Sequence, residues 1–145
     1  MTKKRVILVV LDGWGLAPPG AGNAIEKAGA KNFKKLWLNY PHSRLAASGN
    51  AVGVPKGQQG TSEIGHLHLG AGRVVWQPLE YLNRKIADRS FFSNPVLVGA
   101  MEKAKPPRSR LHLVGLCSGG GIHSHINHLF ALLEMSKARG LVEKT

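Results

Sequence analysis

The residue pattern that most constrains the fold is a run of β-branched and aliphatic side chains near the start of the chain. Residues 5–11 read Arg-Val-Ile-Leu-Val-Val-Leu, and Asp12-Gly13 follows at once. Such a continuous apolar run is typical of a strand buried on both faces, as in a parallel sheet. In open α/β sheets, ligand-binding groups follow the carboxyl ends of strands. Asp12 therefore stands where a catalytic or metal-binding carboxylate is expected, although an Asp before Gly is also a common turn residue.

The rest of the chain alternates between strand-like and helix-like segments. Further strands are predicted at residues 43–47 and 110–116, and residues 73–76 form a short extended piece. Helices are predicted over residues 23–28, 32–40, 63–69, 78–88, 94–105 and 125–139. This order predicts an α/β fold with a parallel sheet. In the helix over 32–40, one apolar stripe is expected to belong to the core: Phe33, Leu36 and Trp37. In the helix over 125–139, the residues expected to face inward are Ile126, Leu129, Leu132 and Leu133. A further strand would naturally follow residues 141–145, so we expect the chain to be incomplete.

The stretch from Gly57 to His66 places a serine between glycine-containing turns and a predicted helix. Ser62 would then lie at the N-terminus of that helix, where free backbone N–H groups and the helix dipole converge. This position favours a phosphate, or a serine oxygen that carries negative charge. The alternative is that Ser62 is only the N-cap, a position at which Ser is common. His66 and His68 are interpreted as ordinary residues of the helix face.

Composition and charge narrow the possible partners. Of the 145 residues, 43% are hydrophobic and 19% charged, as in globular proteins. The formal net charge of +12 indicates an anionic partner: a phosphorylated metabolite, nucleic acid or an acidic surface. The dispersed Lys and Arg residues argue less for nucleic acid than one basic face would. The single cysteine, Cys117, fits a reducing compartment and is expected to be a small core residue. With no segment of transmembrane length, the expected location is the cytoplasm.

A glycine-rich loop follows the third predicted strand. Gly119 to Gly121 match neither a Walker loop nor a dinucleotide-binding loop, yet their position between strand and helix suggests phosphate binding. His123 would be placed to donate to that phosphate, or else to cap the following helix. His123, His125 and His128 could suggest zinc, but no Cys or carboxylate lies close in sequence to complete a ligand set.

These motifs together closely resemble the cofactor-independent (2,3-bisphosphoglycerate-independent) phosphoglycerate mutase family. The resemblance rests on five segments in order, and it covers essentially all 145 residues. The segments are Asp12–Gly15, Gly57–His66, Gly70–Arg73, Ser90–Pro95 and Gly119–His125. It implies an alkaline phosphatase-like, three-layer α/β architecture, in which an α/β transferase domain is inserted into a metal-binding phosphatase domain. Residues 1–76 would begin the phosphatase domain, and residues 77–145 would begin the inserted domain.

The resemblance also implies a reaction and a role for three residues. The family interconverts 2-phosphoglycerate and 3-phosphoglycerate in glycolysis and gluconeogenesis, without 2,3-bisphosphoglycerate. Ser62 would be the nucleophile that is transiently phosphorylated, and also a metal ligand. Asp12 would bind the same metal ion, and His123 would bind the phosphoglycerate. Two manganese ions are expected in the full-length enzyme, with magnesium, cobalt or zinc as alternatives. The resemblance further implies a monomer with no nucleic-acid or membrane partner.

The sequence departs from the family at two positions and lacks several of its functional residues. Gln59 and Thr61 stand where the family usually has Met and Asn, and Thr61 keeps a hydroxyl but no amide. The family's other metal ligands and its substrate-binding arginines are not among these 145 residues. We therefore expect the chain alone to have little or no mutase activity. Two alternatives stay open: another phosphotransferase or phosphatase of the superfamily, such as a phosphopentomutase, and a non-catalytic basic domain that binds nucleic acid.

Overall fold

The regular structure of the chain is helical in the computed structural model, which describes residues 5–122 and 124–145. The six α-helices of this part are α1 (Ala24–Lys27), α2 (Lys31–Asn39), α3 (Ser62–Ala71), α4 (Pro78–Ala87), α5 (Pro95–Lys103) and α6 (Ile126–Ala138). Two 3₁₀ turns span Gly49–Val52 and Ser90–Ser93. All six predicted helices are thereby confirmed, with small differences at their ends.

Local capping chemistry explains why these helices begin where the sequence predicts. The side chain of Asn94 accepts hydrogen bonds from the backbone N–H groups of Val96 at 3.0 Å and Leu97 at 3.2 Å. Pro95 and Pro78 occupy the first positions of α5 and α4, where a missing N–H costs nothing. Each of these start signals acts within four residues and can therefore be read from sequence.

The predicted parallel sheet is wrong. The described residues contain no strand, only one isolated antiparallel bridge between Ser48 and Gln59, so neither an α/β nor a three-layer architecture is formed. The apolar runs expected to be buried strands are exposed instead: Val6 is 90% exposed and Val114 is 97% exposed. A strand is stable only when another segment satisfies its backbone hydrogen bonds. The apolar pattern indicates that these segments prefer burial, but it does not ensure that a neighbouring strand is present to pair with them.

The most buried apolar cluster lies between α5, α6 and the segment that follows α6. Met101 and Met135 are 2% and 1% exposed, and Ala104 and Leu141 complete the cluster. The chain turns back after α6 because Gly140 has φ = +76°, which allows the Leu141 N–H to reach the Ser136 carbonyl at 3.0 Å. The apolar residues packed around this cluster are Phe92, Leu97, Val98, Leu111 and Leu132.

Three sequence-based expectations about burial need correction. The inward face of α6 was predicted to include Leu133, which is 42% exposed, whereas Ala131 and Met135 are buried. Leu36 was placed in a core stripe with its neighbours Phe33 and Trp37 on α2, yet it is exposed. Cys117 is also exposed rather than buried. Each residue lies on a segment whose expected packing partner was the absent sheet.

The aromatic residues of α2 form a row rather than a core. The ring centroids of Phe33 and Trp14 are 5.3 Å apart, and those of Phe33 and Trp37 are 5.8 Å apart. These rings border a cavity of about 290 Å³ beside α1 and α2. Trp14 belongs to the loop that follows Asp12, so this packing holds that loop against α2.

The loop that leads to the serine motif is closed by backbone hydrogen bonds. The Gly60 N–H donates to Ala47 O at 2.9 Å, and the Gly49 N–H donates to Gln58 O at 2.8 Å. Gly53 approaches the segment before α4 so closely that its carbonyl accepts a bond of 2.8 Å from the Gln77 N–H. These hydrogen bonds therefore fix the direction in which the chain enters α3.

Side chains of α4 strengthen the attachment of this loop. Asn50 donates to Glu80 Oε1 at 2.6 Å, and Arg84 contacts the same oxygen at 3.1 Å. The Arg84 guanidinium also lies over the Trp76 ring, 3.5 Å from its centroid. The Glu80 carboxylate is buried but paired on both sides, which offsets its loss of hydration. These contacts cross the proposed boundary between residues 76 and 77, which stays a prediction.

Among the helices of the described part of the chain, none is long and apolar enough to cross a lipid bilayer.

Candidate functional site

The serine motif forms the N-terminus of α3, and Thr61 is its N-cap. Thr61 Oγ1 accepts a hydrogen bond of 3.3 Å from the Ile64 N–H, while Ser62 is the first helical residue. The interpretation of Ser62 as a mere capping residue is therefore wrong. Thr and Asn are both good N-caps, so the Thr61 departure from the family pattern preserves this function. Because Thr61 caps the helix, the Ser62 hydroxyl is left available for another partner.

That partner is Asp12. The Ser62 hydroxyl donates a hydrogen bond to Asp12 Oδ2, although the two residues are 50 positions apart in the chain. Asp12 lies in a tight turn in which the Trp14 N–H donates to Leu11 O at 3.0 Å. Gly13 has φ = +78° in this turn, a conformation that favours glycine. The structure thus brings together two of the three residues singled out from the sequence.

The environment of this pair determines what chemistry it can support. The carboxylate of Asp12 only accepts hydrogen bonds, so the shared proton belongs to the Ser62 hydroxyl. The N-terminal end of α3 adds fixed positive potential at that oxygen. Both side chains are exposed, so the pair is accessible to a ligand. A serine oxygen beside a proton acceptor and a helix N-terminus is suited to act as a nucleophile.

His66 is a third component of the site, which sequence reasoning assigned to the helix face. Its Nδ1 atom lies 3.4 Å from Ser62 Oγ and 2.8 Å from the Ser62 carbonyl oxygen. The contact follows from spacing, since residues four apart are neighbours on a helix surface. That spacing was visible in the sequence once Ser62 had been placed at the helix start. His68, by contrast, contacts Val75 O at 3.2 Å and helps to fix the segment after α3.

The donor atoms of the pair fit a divalent cation by type. Asp12 and Ser62 offer hard oxygen atoms, which manganese and magnesium prefer. Such ions take about six ligands in all, so two protein oxygens form only part of a coordination sphere. The described residues contain no group of three or more His, Cys, Asp or Glu side chains placed to hold a metal. A bound ion would need further ligands from elsewhere or from water.

A cleft of about 370 Å³ is bordered by the glycine-rich loop, α4 and the loop before α3. Gly121 has φ = +71°, and a Cβ atom there would lie 2.9 Å from Leu79 Cδ2 and 3.2 Å from Gln58 Nε2. Glycine at this position therefore keeps the cleft open beside the Gln58 amide. The cleft is lined by Pro55, Gln58, Leu79, Asn83, Ile86, Ala87, Gly119, Gly120, Gly121, His125 and Asn127. His123, the predicted phosphoglycerate ligand, lies outside the described residues, and its role stays a prediction.

Two histidines beside this cleft have structural partners. His125 caps α6, with its Nδ1 accepting a bond of 3.2 Å from the Asn127 N–H. His128 Nε2 lies 2.9 Å from Asn83 Oδ1 and joins α6 to α4. Burial lowers the pKa of His128, and the electrostatic effect of the neighbouring His125 lowers it further. His128 is therefore neutral at neutral pH and donates its Nε2–H to the Asn83 oxygen.

Comparison with known sequences confirms the resemblance seen in the motifs. Residues 82–145 match the family model described as BPG-independent PGAM N-terminus. Proteins named 2,3-bisphosphoglycerate-independent phosphoglycerate mutase are 53% identical over 138 residues in Moorella thermoacetica and 50% identical over 141 residues in Clostridium perfringens. The corresponding protein of Methanococcoides burtonii is 52% identical over 142 residues.

The matches cover nearly all of this chain but only part of each relative. They span 95% of this chain and 27% of the Moorella protein, 97% and 28% for the Clostridium protein, and 98% and 27% for the Methanococcoides protein. The chain therefore spans about a quarter of the length of the curated relatives it matches.

Proposed function

Because this chain belongs by sequence to the family of BPG-independent phosphoglycerate mutases, we propose that it supplies the Asp12–Ser62 pair for the interconversion of 2-phosphoglycerate and 3-phosphoglycerate. The observation that carries the proposal is the direct hydrogen bond from the Ser62 hydroxyl to Asp12 at the start of α3. Among the described residues, the only other side-chain hydrogen-bond contact of this pair is that between Ser62 and His66. No further side-chain hydrogen bond therefore gives Asp12 or Ser62 a purely structural role.

The reaction proceeds through a phosphoserine at Ser62. In the first step, the Ser62 proton passes to the Asp12 carboxylate as a bond forms between Oγ and phosphorus. The bond from phosphorus to the glycerate oxygen breaks, and that oxygen takes up the proton that Asp12 received from Ser62. In the second step, Asp12 removes the proton from the other hydroxyl of the same glycerate, which attacks the phosphoserine, and the departing Ser62 oxygen takes this proton back from Asp12. The two steps together move one phosphoryl group between two oxygens and return Asp12 and Ser62 to their starting protonation states.

The local structure stabilises the phosphorylated state. A phosphate on Ser62 lies at the N-terminus of α3, where unpaired backbone N–H groups and the helix dipole favour negative charge. An interaction of this kind contributes about 0.3–1 kcal/mol at an exposed helix end. The Thr61 hydroxyl accepts the Ile64 N–H and so fixes the first turn of α3 on which Ser62 stands.

Manganese is the proposed metal, with magnesium, cobalt or zinc as alternatives. Asp12 and Ser62 are the residues of this chain that would hold it. When bound, a divalent ion lowers the pKa of a coordinated hydroxyl and offsets phosphoryl charge. The rest of the anionic substrate is proposed to bind in the cleft between the Gly119–Gly121 loop and α4. The net charge of +12 would raise the local concentration of this anionic substrate. A phosphorylated metabolite as substrate agrees with a cytoplasmic location.

The proposal can be tested in a hybrid enzyme. This chain would replace the matching 138 residues of the Moorella relative, and conversion of 3-phosphoglycerate would be assayed with manganese. We expect an active hybrid whose kcat falls at least about 1,000-fold in Ser62→Ala, because the nucleophile is lost. Asp12→Ala should also inactivate it. Ser43→Ala, a matched change at an exposed serine, should have no effect. A Ser62→Ala hybrid with undiminished activity would contradict the proposal.

A further inference from the structure

The contact between His66 and Ser62 determines where the protons of the site reside. The Ser62 carbonyl oxygen, 2.8 Å from His66 Nδ1, can only accept a hydrogen bond. The Nδ1 atom must therefore carry the proton. Ser62 Oγ lies 3.4 Å from the same nitrogen, so the single Nδ1–H group is shared unequally between the carbonyl and the hydroxyl oxygen.

This assignment excludes one role for His66. A protonated Nδ1 has no lone pair with which to remove the Ser62 proton. The hydroxyl hydrogen instead points to Asp12 Oδ2, and the Ser62 oxygen turns a lone pair toward the imidazole. The usual pairing of a serine with a histidine base is therefore reversed here: the carboxylate accepts, and the histidine donates.

We propose that His66 is a positioning residue that fixes the Ser62 side chain against Asp12 by donating its Nδ1–H across one turn of α3. A serine side chain has three staggered rotamers, and an exposed one samples them freely. His66 on one side and Asp12 on the other select the rotamer in which Oγ lies between them. The same Nδ1–H faces the Ser62 oxygen as it becomes negatively charged. The functional meaning of this inference rests on the proposed role of Ser62 as nucleophile.

The test uses NMR on the 145-residue chain at a single neutral pH. Long-range ¹H–¹⁵N correlations of the His66 ring report which nitrogen carries the proton, and Ser62 Hα–Hβ couplings report its rotamer. We expect the Nδ1–H tautomer at His66 and one dominant Ser62 rotamer. His66→Ala should average the Ser62 couplings, because the donor is lost. His66→Asn should restore them, since its amide N–H occupies nearly the position of Nδ1.

The controls separate positioning from loss of structure. His112 is exposed in the segment 110–116, and His112→Ala should leave the Ser62 couplings unchanged. His66 is also exposed, so His66→Ala should keep the far-ultraviolet circular dichroism of the parent chain. In the hybrid enzyme, we expect His66→Ala to lower kcat about five- to ten-fold with KM unchanged, the size typical of one lost hydrogen bond.

The possible outcomes decide between the two proposals. An Nε2–H tautomer at His66, or an unchanged Ser62 rotamer in His66→Ala, would overturn the positioning role even if the hybrid enzyme is active. An inactive hybrid combined with the expected NMR result would instead contradict the proposed function and leave the geometry of His66 intact.

Discussion

Replacing Gly53 by alanine should destabilise the fold through two separable effects. Gly53 has φ = +72°, in the left-handed region that alanine rarely adopts. This conformation costs an alanine about 1–2 kcal/mol. In addition, a Cβ atom at residue 53 would lie 2.3 Å from Val75 O and 3.2 Å from Trp76 Cα. Both are backbone atoms, so the segment before α4 would have to move away.

The free-energy cost of that movement depends on the contacts around Gly53 that it breaks. Separating the two segments breaks the 2.8 Å hydrogen bond from the Gln77 N–H to Gly53 O, which contributes about 1 kcal/mol. It also strains the Asn50–Glu80 contact, which joins the same two segments. When the cost of the left-handed backbone conformation is added to these lost contacts, Gly53→Ala should lower the free energy of unfolding by about 3 kcal/mol or more.

Gly72 provides the matched control. It has φ = +64°, but a Cβ atom there meets nothing within 4 Å. Gly72→Ala should therefore cost only the conformational term of about 1–2 kcal/mol. Urea unfolding followed by circular dichroism would give both values. Equal losses for the two variants would refute the claim that close backbone approach at Gly53 holds the serine loop against α4; a Gly53→Ala chain that fails to fold while Gly72→Ala folds would agree with it.

Three further predictions concern the helical core and its pH dependence. Met135→Ala should lower the free energy of unfolding in urea by about 2–5 kcal/mol, because the Met135 side chain is fully buried. Leu38 is 82% exposed, so Leu38→Ala should change this free energy by less than about 0.5 kcal/mol. Similar losses of stability in the two variants would show that the core does not lie around Met135. Ser136→Ala should stabilise α6 by about 1 kcal/mol, because the Ser136 hydroxyl is buried with no hydrogen-bond partner among the described residues, and a loss would show that it has one. The pKa of His128 is lowered in the folded chain, so near and below about pH 6.5 the unfolded chain binds a proton more readily than the folded chain. The free energy of unfolding should therefore fall between about pH 7 and pH 5, and it should fall less in His128→Gln. An NMR titration in which the pKa of His128 equals or exceeds that of an unfolded peptide would contradict this.

The helices were predictable because their determinants are local. Pro78 and the Asn94–Pro95 pair mark helix starts through contacts within a few residues, and the structure places α4 and α5 accordingly. The sheet was not predictable in the same way, since pairing joins distant segments. Residues 6–11 have a strand-like composition, but among the described residues no strand forms beside them. The order of strand-like and helix-like segments therefore predicted the wrong fold class.

Methionines explain why the position of the core was missed. Met101 and Met135 are the most buried large side chains, together with Leu141. Sequence reasoning gave the inward positions of α6 to Ile126, Leu129, Leu132 and Leu133, and not to Met135. The unbranched methionine side chain adapts to irregular gaps, so it fills the space between α5 and α6 without any distinctive spacing.

The candidate site was partly predictable for a chemical reason. Asp12 and Ser62 each carry a recognisable local context, a turn after an apolar run and a helix start, and the structure brings their side chains into contact. His66 was missed because a lone histidine on a helix has no distinctive pattern of its own. Its position becomes informative once Ser62 is placed at the start of α3, because residues 62 and 66 are then neighbours one turn apart on the helix.

The most direct measurement is to locate the phosphoryl group during turnover. The hybrid enzyme would be mixed with 3-phosphoglycerate and manganese, quenched within one turnover, digested and examined by mass spectrometry. We predict one phosphate on the peptide that contains Ser62, at that serine, and none in the Ser62→Ala or Asp12→Ala hybrids. A phosphate carried by another residue, or turnover with no phosphorylated serine at position 62, would contradict the account.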